Sequence, residues 1–453
     1  MKKTSLPSAR LGRFIAELSA ASIPDRGRRL AERCFLDTVG VTLAGAGTGA
    51  GRRAISFAEA GGEGTTTVPG SASRVPEGVA LLAMGTAGHA LDYDDVSWGM
   101  DGHPSVTLVA PALAVGEAQD ATGQQLLTAF IAGFETECYL ASAISPGHYE
   151  RGWHATGTFG VFGAAAVACK LLNADPATTQ QALAIAASGA AGLKRNFGSM
   201  TKPLHVGGAV QTGVRAARLA VAGFSADHAA IGGEGGFWEL YAGLEGVGTP
   251  APLAPERWAL LEEGVHVKSY PCCYFTHTSI ANAIEMAERH NLQPGDIEGV
   301  EVVASQGALD ALAHDDPATG LEAKFSLPYT VATGLVERAV TLASFEPAAL
   351  KNPVVQRVRD YVRYRVDPAL AYDAHESSML VETATEEYSS SLQDPPGTHG
   401  SPLARATLHE KYERCARRAL PEPMVVESRV LLDELRELGS TRALMATLRS
   451  ATE

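Results

Sequence analysis

Between residues 88 and 106 the chain reads GHALDYDDVSWGMDGHPSV, which crowds His89, Asp92, Asp94, Asp95 and His103 into one stretch. Carboxylates interleaved with imidazoles are the materials of acid–base chemistry, because an imidazole titrates near neutrality and a nearby carboxylate orients and tunes it. Helical spacing would set His89, Asp92 and Val96 on one face, and Pro104 after His103 suits the first position of a new helix. The plainer reading is that Asp94 and Asp95 cap helices or pair with buried cations. An Asp-rich helix can also hold Mg²⁺ for diphosphate chemistry, but that requires a second acidic motif, which the helical part lacks. No metal site of that kind is therefore expected.

Three further segments offer chemistry. In GWHATGTFG, His154 opens a run of small apolar residues, where the dipole of the following helix disfavours its charged form. In KRNFGSMTKPLHVGG, Lys202 stands just before Pro203 at a helix start, His205 follows one turn on and Lys194 precedes it, so the segment is suited to an anion. In KSYPCCYFTHTS, Lys268, Tyr270, Cys272 and His277 fall at a junction between patterns, and KFSLPYTVA adds Lys324, Ser326 and Tyr329. Adjacent Cys272 and Cys273 read as small core residues. Patterns for HExxH zinc sites, GxSxG nucleophiles and phosphate loops are absent, and the glycines at 232–237 do not follow a strand as a dinucleotide site requires.

The elements that must position these residues divide the chain in three. From about 7 to 265 the apolar residues recur with helical period over 27–44, 104–118, 122–144, 158–172, 177–193 and 206–222, and several of these helices are apolar all round, as buried helices are. From 268 to 394, alternating strands at 299–304, 361–366 and 379–388 mix with helices at 274–290 and 324–342, and helices return at 403–419 and 428–449 after a loop. The expected fold is mainly α with an α+β insertion: a discontinuous helical domain (1–267 and 395–453) and a smaller α+β domain (268–394).

The chain has 453 residues and a net charge of −14, which disfavours nucleic acid and anionic lipid as partners. That charge is uneven. Residues 268–394 carry 9 Lys/Arg against 19 Asp/Glu, a net −10, whereas 148–217 carry 6 against 2, a net +4 in an apolar setting. Buried cations require an anionic partner. Six scattered cysteines without a CxxC pair fit reduced thiols in a cytoplasm, and no apolar leader or membrane span is expected.

Taken together, LDTVGVTLAG at 36–45, GHALDYDD with GHPS, GWHATGTFG, KPLHVGGAVQTG, KSYPCCYFTH and KFSLPYTVA resemble the MmgE/PrpD family, in order and spacing. The resemblance implies a helical domain with an α+β lid, a homodimer, and a cofactor-free site between the domains. It also implies a lyase of small di- or tricarboxylates, a dehydratase or decarboxylase of the 2-methylcitrate or cis-aconitate type, with an iminodisuccinate-type epimerase as the alternative. Its active-site positions correspond to Asp92, His103, His154, Lys202 and Lys268 as catalytic residues and to Tyr329 as a substrate-binding residue; His205, His277 and Lys194, from the segments read above, are the further substrate-binding candidates. Val96 stands where members acting on cis-aconitate carry Thr, so a hydroxyl for a substrate carboxylate is missing. A non-catalytic carboxylate-binding protein is the reading from a different class.

Overall fold

The computed structural model describes residues 6–254, 256–372 and 374–450. The protein is mainly helical and divides into two compact units: one formed by the chain up to Arg195, Met200–Val267 and the segment from Ala404 onward, the other by Asn196–Ser199 and Lys268–Leu403. Among the described residues no helix is long and apolar enough to cross a membrane.

The helical unit is built around α1 (Asp25–Ala46), α2 (Glu77–His89), α3 (Pro104–Gln119), α4 (Gly123–Ala141), α5 (Ala155–Leu171) and α6 (Thr201–Val221). α3 and α5 are buried along almost their whole length, as their apolar composition demands. Two glycine contacts set the geometry that matters. A Cβ on Gly207 of α6 would lie 2.4 Å from the Leu82 carbonyl of α2, and one on Gly160 of α5 would lie 2.3 Å from Thr107 of α3. Only glycine allows these backbones so close, and the first crossing carries the start of α6 toward the end of α2 while the second pairs the starts of α3 and α5.

The other unit contains α7 (His277–Arg289), β1 (Ile297–Ala304), α8 (Leu327–Glu337), α9 (Pro353–Tyr361), β2 (Val362–Val366), β3 (Ser377–Thr383) and β4 (Glu387–Leu392). The strands form one sheet in the order β2-β1-β3-β4, with β1 and β2 parallel and the other pairs antiparallel. Ile297, Val300, Val302 and Ala304 turn one face of β1 into a core shared with Ile280, Ala283, Val331 and Val358. The chain then returns to the helical unit as α10 (Arg405–Ala416), which packs on α1.

Three expectations need correction. The segment after His89 is not helical: α2 ends there, and Asp92 adopts φ +52°, a left-handed conformation that Asp tolerates better than most residues. The single strand expected over 379–388 is a hairpin, because Thr383 donates its N–H to the Glu386 carbonyl and accepts the Glu386 N–H on its hydroxyl, closing a turn inside the alternating run. The helix expected over 428–449 is two helices, Glu422–Asp433 and Thr441–Thr447, the second started by Ser440, whose side chain accepts the Ala443 N–H.

Candidate active site

Four helix ends deliver the candidate residues of the helical unit. His89 is the last residue of α2, His103 directly precedes α3, His154 directly precedes α5, and Lys202 lies in the first turn of α6. The irregular segment 90–97 supplies Asp92, Asp94 and Asp95. Two backbone bonds tie the starts of α3 and α5 down: His103 donates its N–H to Thr156 Oγ1 at 3.1 Å, and His154 donates its own to the Gly192 carbonyl at 3.0 Å.

The structure brings Asp92, His103, His154, Lys202 and His205 together. The Lys202 ammonium donates to Asp92 Oδ1, and both side chains are buried. His103 Nε2 lies 3.9 Å from the same carboxylate oxygen, and His103 Nδ1 lies 3.3 Å from Asp94 Oδ2. His154 and His205 share a proton between Nδ1 atoms 3.0 Å apart. The rings of His89 and His154 stack at 5.5 Å, and those of His89 and His103 meet edge to face at 4.6 Å. His103 keeps 11% of its side chain exposed.

Electrostatics divide these groups by role. Burial, reinforced by the neighbouring histidines and Lys202, holds His154 well below the ordinary imidazole range, so it is neutral at physiological pH. Burial also lowers His205, with Lys202 adding to the effect. Asp94 behaves otherwise: burial works against its ionisation, yet the flanking His89 and His103 hold its carboxyl well below the usual carboxylate range. Asp95 Oδ1 accepts the Ser105 N–H at 3.2 Å and lies near Asp37, and burial pushes it up to about 7.

His89, Asp92, Asp94 and His103 each offer a ligand atom, all within 4.8 Å of one another, which is the composition of a divalent-cation site. Here the Asp92 carboxylate is engaged by the Lys202 ammonium, and Asp94 Oδ2 faces two imidazole nitrogens. A buried ammonium on a carboxylate, ringed by imidazoles of different basicity, is equipped to bind an anion and to move a proton beside it.

The remaining candidates have other surroundings. Lys194 Nζ lies 3.6 Å over the Tyr149 ring and donates to the Tyr149 carbonyl. In the α+β unit, Lys268 Nζ and His277 Nε2 both donate to the Cys272 carbonyl, at 3.0 and 3.3 Å, and Lys324 donates to the Pro271 carbonyl. The Tyr329 hydroxyl donates to the Ser344 carbonyl. Sequence reasoning weighed Asp94 and Asp95 only as caps or ion-pair partners and gave His89 no role; the signal that could have singled out His89 and Asp94 is their five-residue spacing across the end of a helix.

Comparison with known proteins names the class. Residues 9–248 match the MmgE/PrpD N-terminal domain and residues 270–434 the MmgE/PrpD C-terminal domain. The chain belongs to the MmgE/PrpD family, and these matches support a lyase of that type. Similar proteins include cis-aconitate decarboxylase of Homo sapiens, 28% identical over 78% of this chain and 75% of that protein, and its Mus musculus counterpart, 26% identical over 93% and 89%. The cis-aconitate decarboxylase-like protein oryM of Aspergillus oryzae is 26% identical over 78% of each chain.

Proposed function

We propose that this protein is an acid–base lyase of a small di- or tricarboxylate, with decarboxylation of an unsaturated tricarboxylate such as cis-aconitate as the first reaction to test. The observation that carries this reading is the buried Lys202–Asp92 pair with His103 and His154 beside it. A substrate carboxylate competes with Asp92 for the Lys202 ammonium, and in a water-poor site that contact is strong. In the reaction the bond from the CH₂ carbon to its carboxylate breaks and CO₂ leaves. The electron pair forms a new double bond as the old one shifts, and the far carbon takes up a proton. No oxidant or reductant is needed. His103, which has the ionised Asp94 beside it, is the proton donor, and neutral His154 is a hydrogen-bonding partner or base. Lys268 retains the role of carboxylate ligand, and Tyr329, His205, His277 and Lys194 that of substrate-binding groups.

Dehydration is the second reading, favoured by the buried apolar side chain of Val96. The same groups would remove a proton next to a carboxylate and protonate a departing hydroxyl. Proton NMR in D₂O with cis-aconitate, 2-methylcitrate and iminodisuccinate separates the outcomes: a new alkene with loss of CO₂ supports decarboxylation, a new alkene with loss of water supports dehydration, and exchange at carbon without net conversion supports epimerisation. Turnover that survives both Lys202→Ala and His154→Ala would overturn the site assignment.

A further inference from the structure

We propose that Asp94 is the positioning residue of this site: its single oxygen Oδ2, faced by the imidazoles of His89 and His103, fixes the tautomer and orientation of His103, and His89 braces it. The inference rests on the acid–base reading above and assigns the side chains that make His103 a directed proton carrier.

Asp94 Oδ2 lies 2.7 Å from His89 Nδ1 and 3.3 Å from His103 Nδ1, and the Asp94 side chain is fully enclosed. An ionised carboxylate only accepts hydrogen bonds, so His89 must turn a protonated Nδ1 toward it, and the charge of the same oxygen favours a proton on the His103 Nδ1 that lies 3.3 Å away. For His103 this leaves Nε2 as the titrating atom, and Nε2 is the atom that faces Asp92 Oδ1, where the Lys202 ammonium binds. Direction is thus imposed on His103 by a residue two positions from Asp92. An Asp in an irregular segment could swing with its one partner, but here the backbone on either side is anchored. Before it the Tyr93 carbonyl accepts from Lys411 Nζ at 3.0 Å, and after it the Val96 N–H donates to the His266 carbonyl at 3.0 Å.

His89 supplies the brace from the end of α2. Its Nε2 is buried without a hydrogen-bond partner, and its ring lies against those of His103 and His154. Burial lowers its proton affinity to about 4, so it meets Asp94 as a neutral donor and leaves the shared oxygen its negative charge for His103. The charged groups facing this trio are Asp92, Lys202, Asp95 and Asp37. The arrangement follows the logic by which a buried carboxylate sets an imidazole's tautomer in hydrolytic triads, where an Asp→Asn change costs on the order of 10⁴ in kcat.

The test is Asp94→Asn, which removes the charge from the oxygen that both rings face, together with His89→Ala and His89→Gln. For Asp94→Asn we expect kcat to fall by about 10²–10⁴ with KM changed less than about threefold, and the pH profile of kcat/KM to move to lower pH as His103 loses its carboxylate. His89→Ala should lower kcat by about tenfold, and His89→Gln, which can still donate to Asp94, should recover most of it. Wild-type kcat and pH profile in Asp94→Asn, with Lys202→Ala inactive, would overturn this inference and leave the lyase reading intact. If Lys202→Ala were also active, it is the lyase site that would fail. Should Asp94→Asn not fold, imidazole ¹⁵N spectra of the native enzyme decide, with His103 assigned from His103→Gln. Protonated Nδ1 with titrating Nε2 is expected, and the opposite tautomer overturns the proposal. Activity lost to a chelator and restored by Zn²⁺ or Mn²⁺ would give the four groups to a cation and overturn it equally.

Discussion

Among its described residues the helical unit contains two buried Lys–Asp ion pairs, and they differ in what surrounds them. Lys411 of α10 reaches Asp37 of α1 at 2.6 Å, donates to the Tyr93 carbonyl and lies 3.9 Å over the Tyr93 ring. Lys202 reaches Asp92, whose backbone is left-handed, with imidazoles around it. Lys411 is thus bonded to a carboxylate, a backbone carbonyl and an aromatic face, and it joins the returning C-terminal helix to the rest of the unit. Lys202 meets groups that can gain or lose a proton. The two pairs also cooperate across one residue, since Tyr93, which Lys411 anchors, lies between Asp92 and Asp94.

The sharpest way to break the comparison is to remove each lysine. Lys202→Met should cost about 10³–10⁴ in kcat/KM, some 4–5.5 kcal/mol of transition-state stabilisation, over and above whatever stability is lost by leaving Asp92 without its ammonium. Steady-state kinetics on the substrate found by NMR, beside a thermal melt, checks this. Lys411→Met should do the reverse, lowering stability by about 3–5 kcal/mol because it leaves Asp37 buried and uncompensated, while turnover per folded molecule stays within a few fold. Adding Asp37→Leu should recover much of that loss, whereas no apolar replacement of Lys202 and Asp92 should recover activity.

Asp95 sharpens the contrast through pH. Its folded pKa of about 7 lies above the ordinary carboxylate range, so the wild type loses stability as pH rises from about 4 through about 7. An Asn at this position can still accept the Ser105 N–H and carries no charge. Asp95→Asn should match the wild type near pH 4 and exceed it by about 2–4 kcal/mol above pH 7, read from denaturant melts across that range. The histidines act in the opposite sense. With His89 lowered to about 4, stability falls as pH drops from about 6.5 toward 4, so His89→Gln should flatten that limb. The smallest effect is expected at Val96, where a Thr adds one hydroxyl. Val96→Thr should change kcat/KM for cis-aconitate by about tenfold or less, about 1 kcal/mol.

Much of this site was legible from residue types and helix punctuation. Pro104 marked the start of α3 and placed His103 before it, the small-residue run after His154 marked α5, and the basic stretch around Lys202 marked the need for an anion. What misled was periodicity after His89. It placed Asp92 and Val96 on a helical face that does not form, since the chain leaves α2 there and Asp92 turns left-handed. Asp94 read as a cap because nothing in a linear pattern shows that two rings converge on one oxygen.

The sequence by itself determined the helical character, the positions of the helix starts and the kinds of group available, because capping and amphipathic period are encoded within a few residues. It also carried the family, through segments dispersed along most of the chain. Only the tertiary structure decided which carboxylate belongs to which cation. Lys202 and Asp92 are 110 positions apart, and Lys411 and the Tyr93 carbonyl 318 apart. Those partnerships follow from how closely helices cross, as at Gly207 against α2, and close crossing is a property of packed surfaces that no local pattern contains.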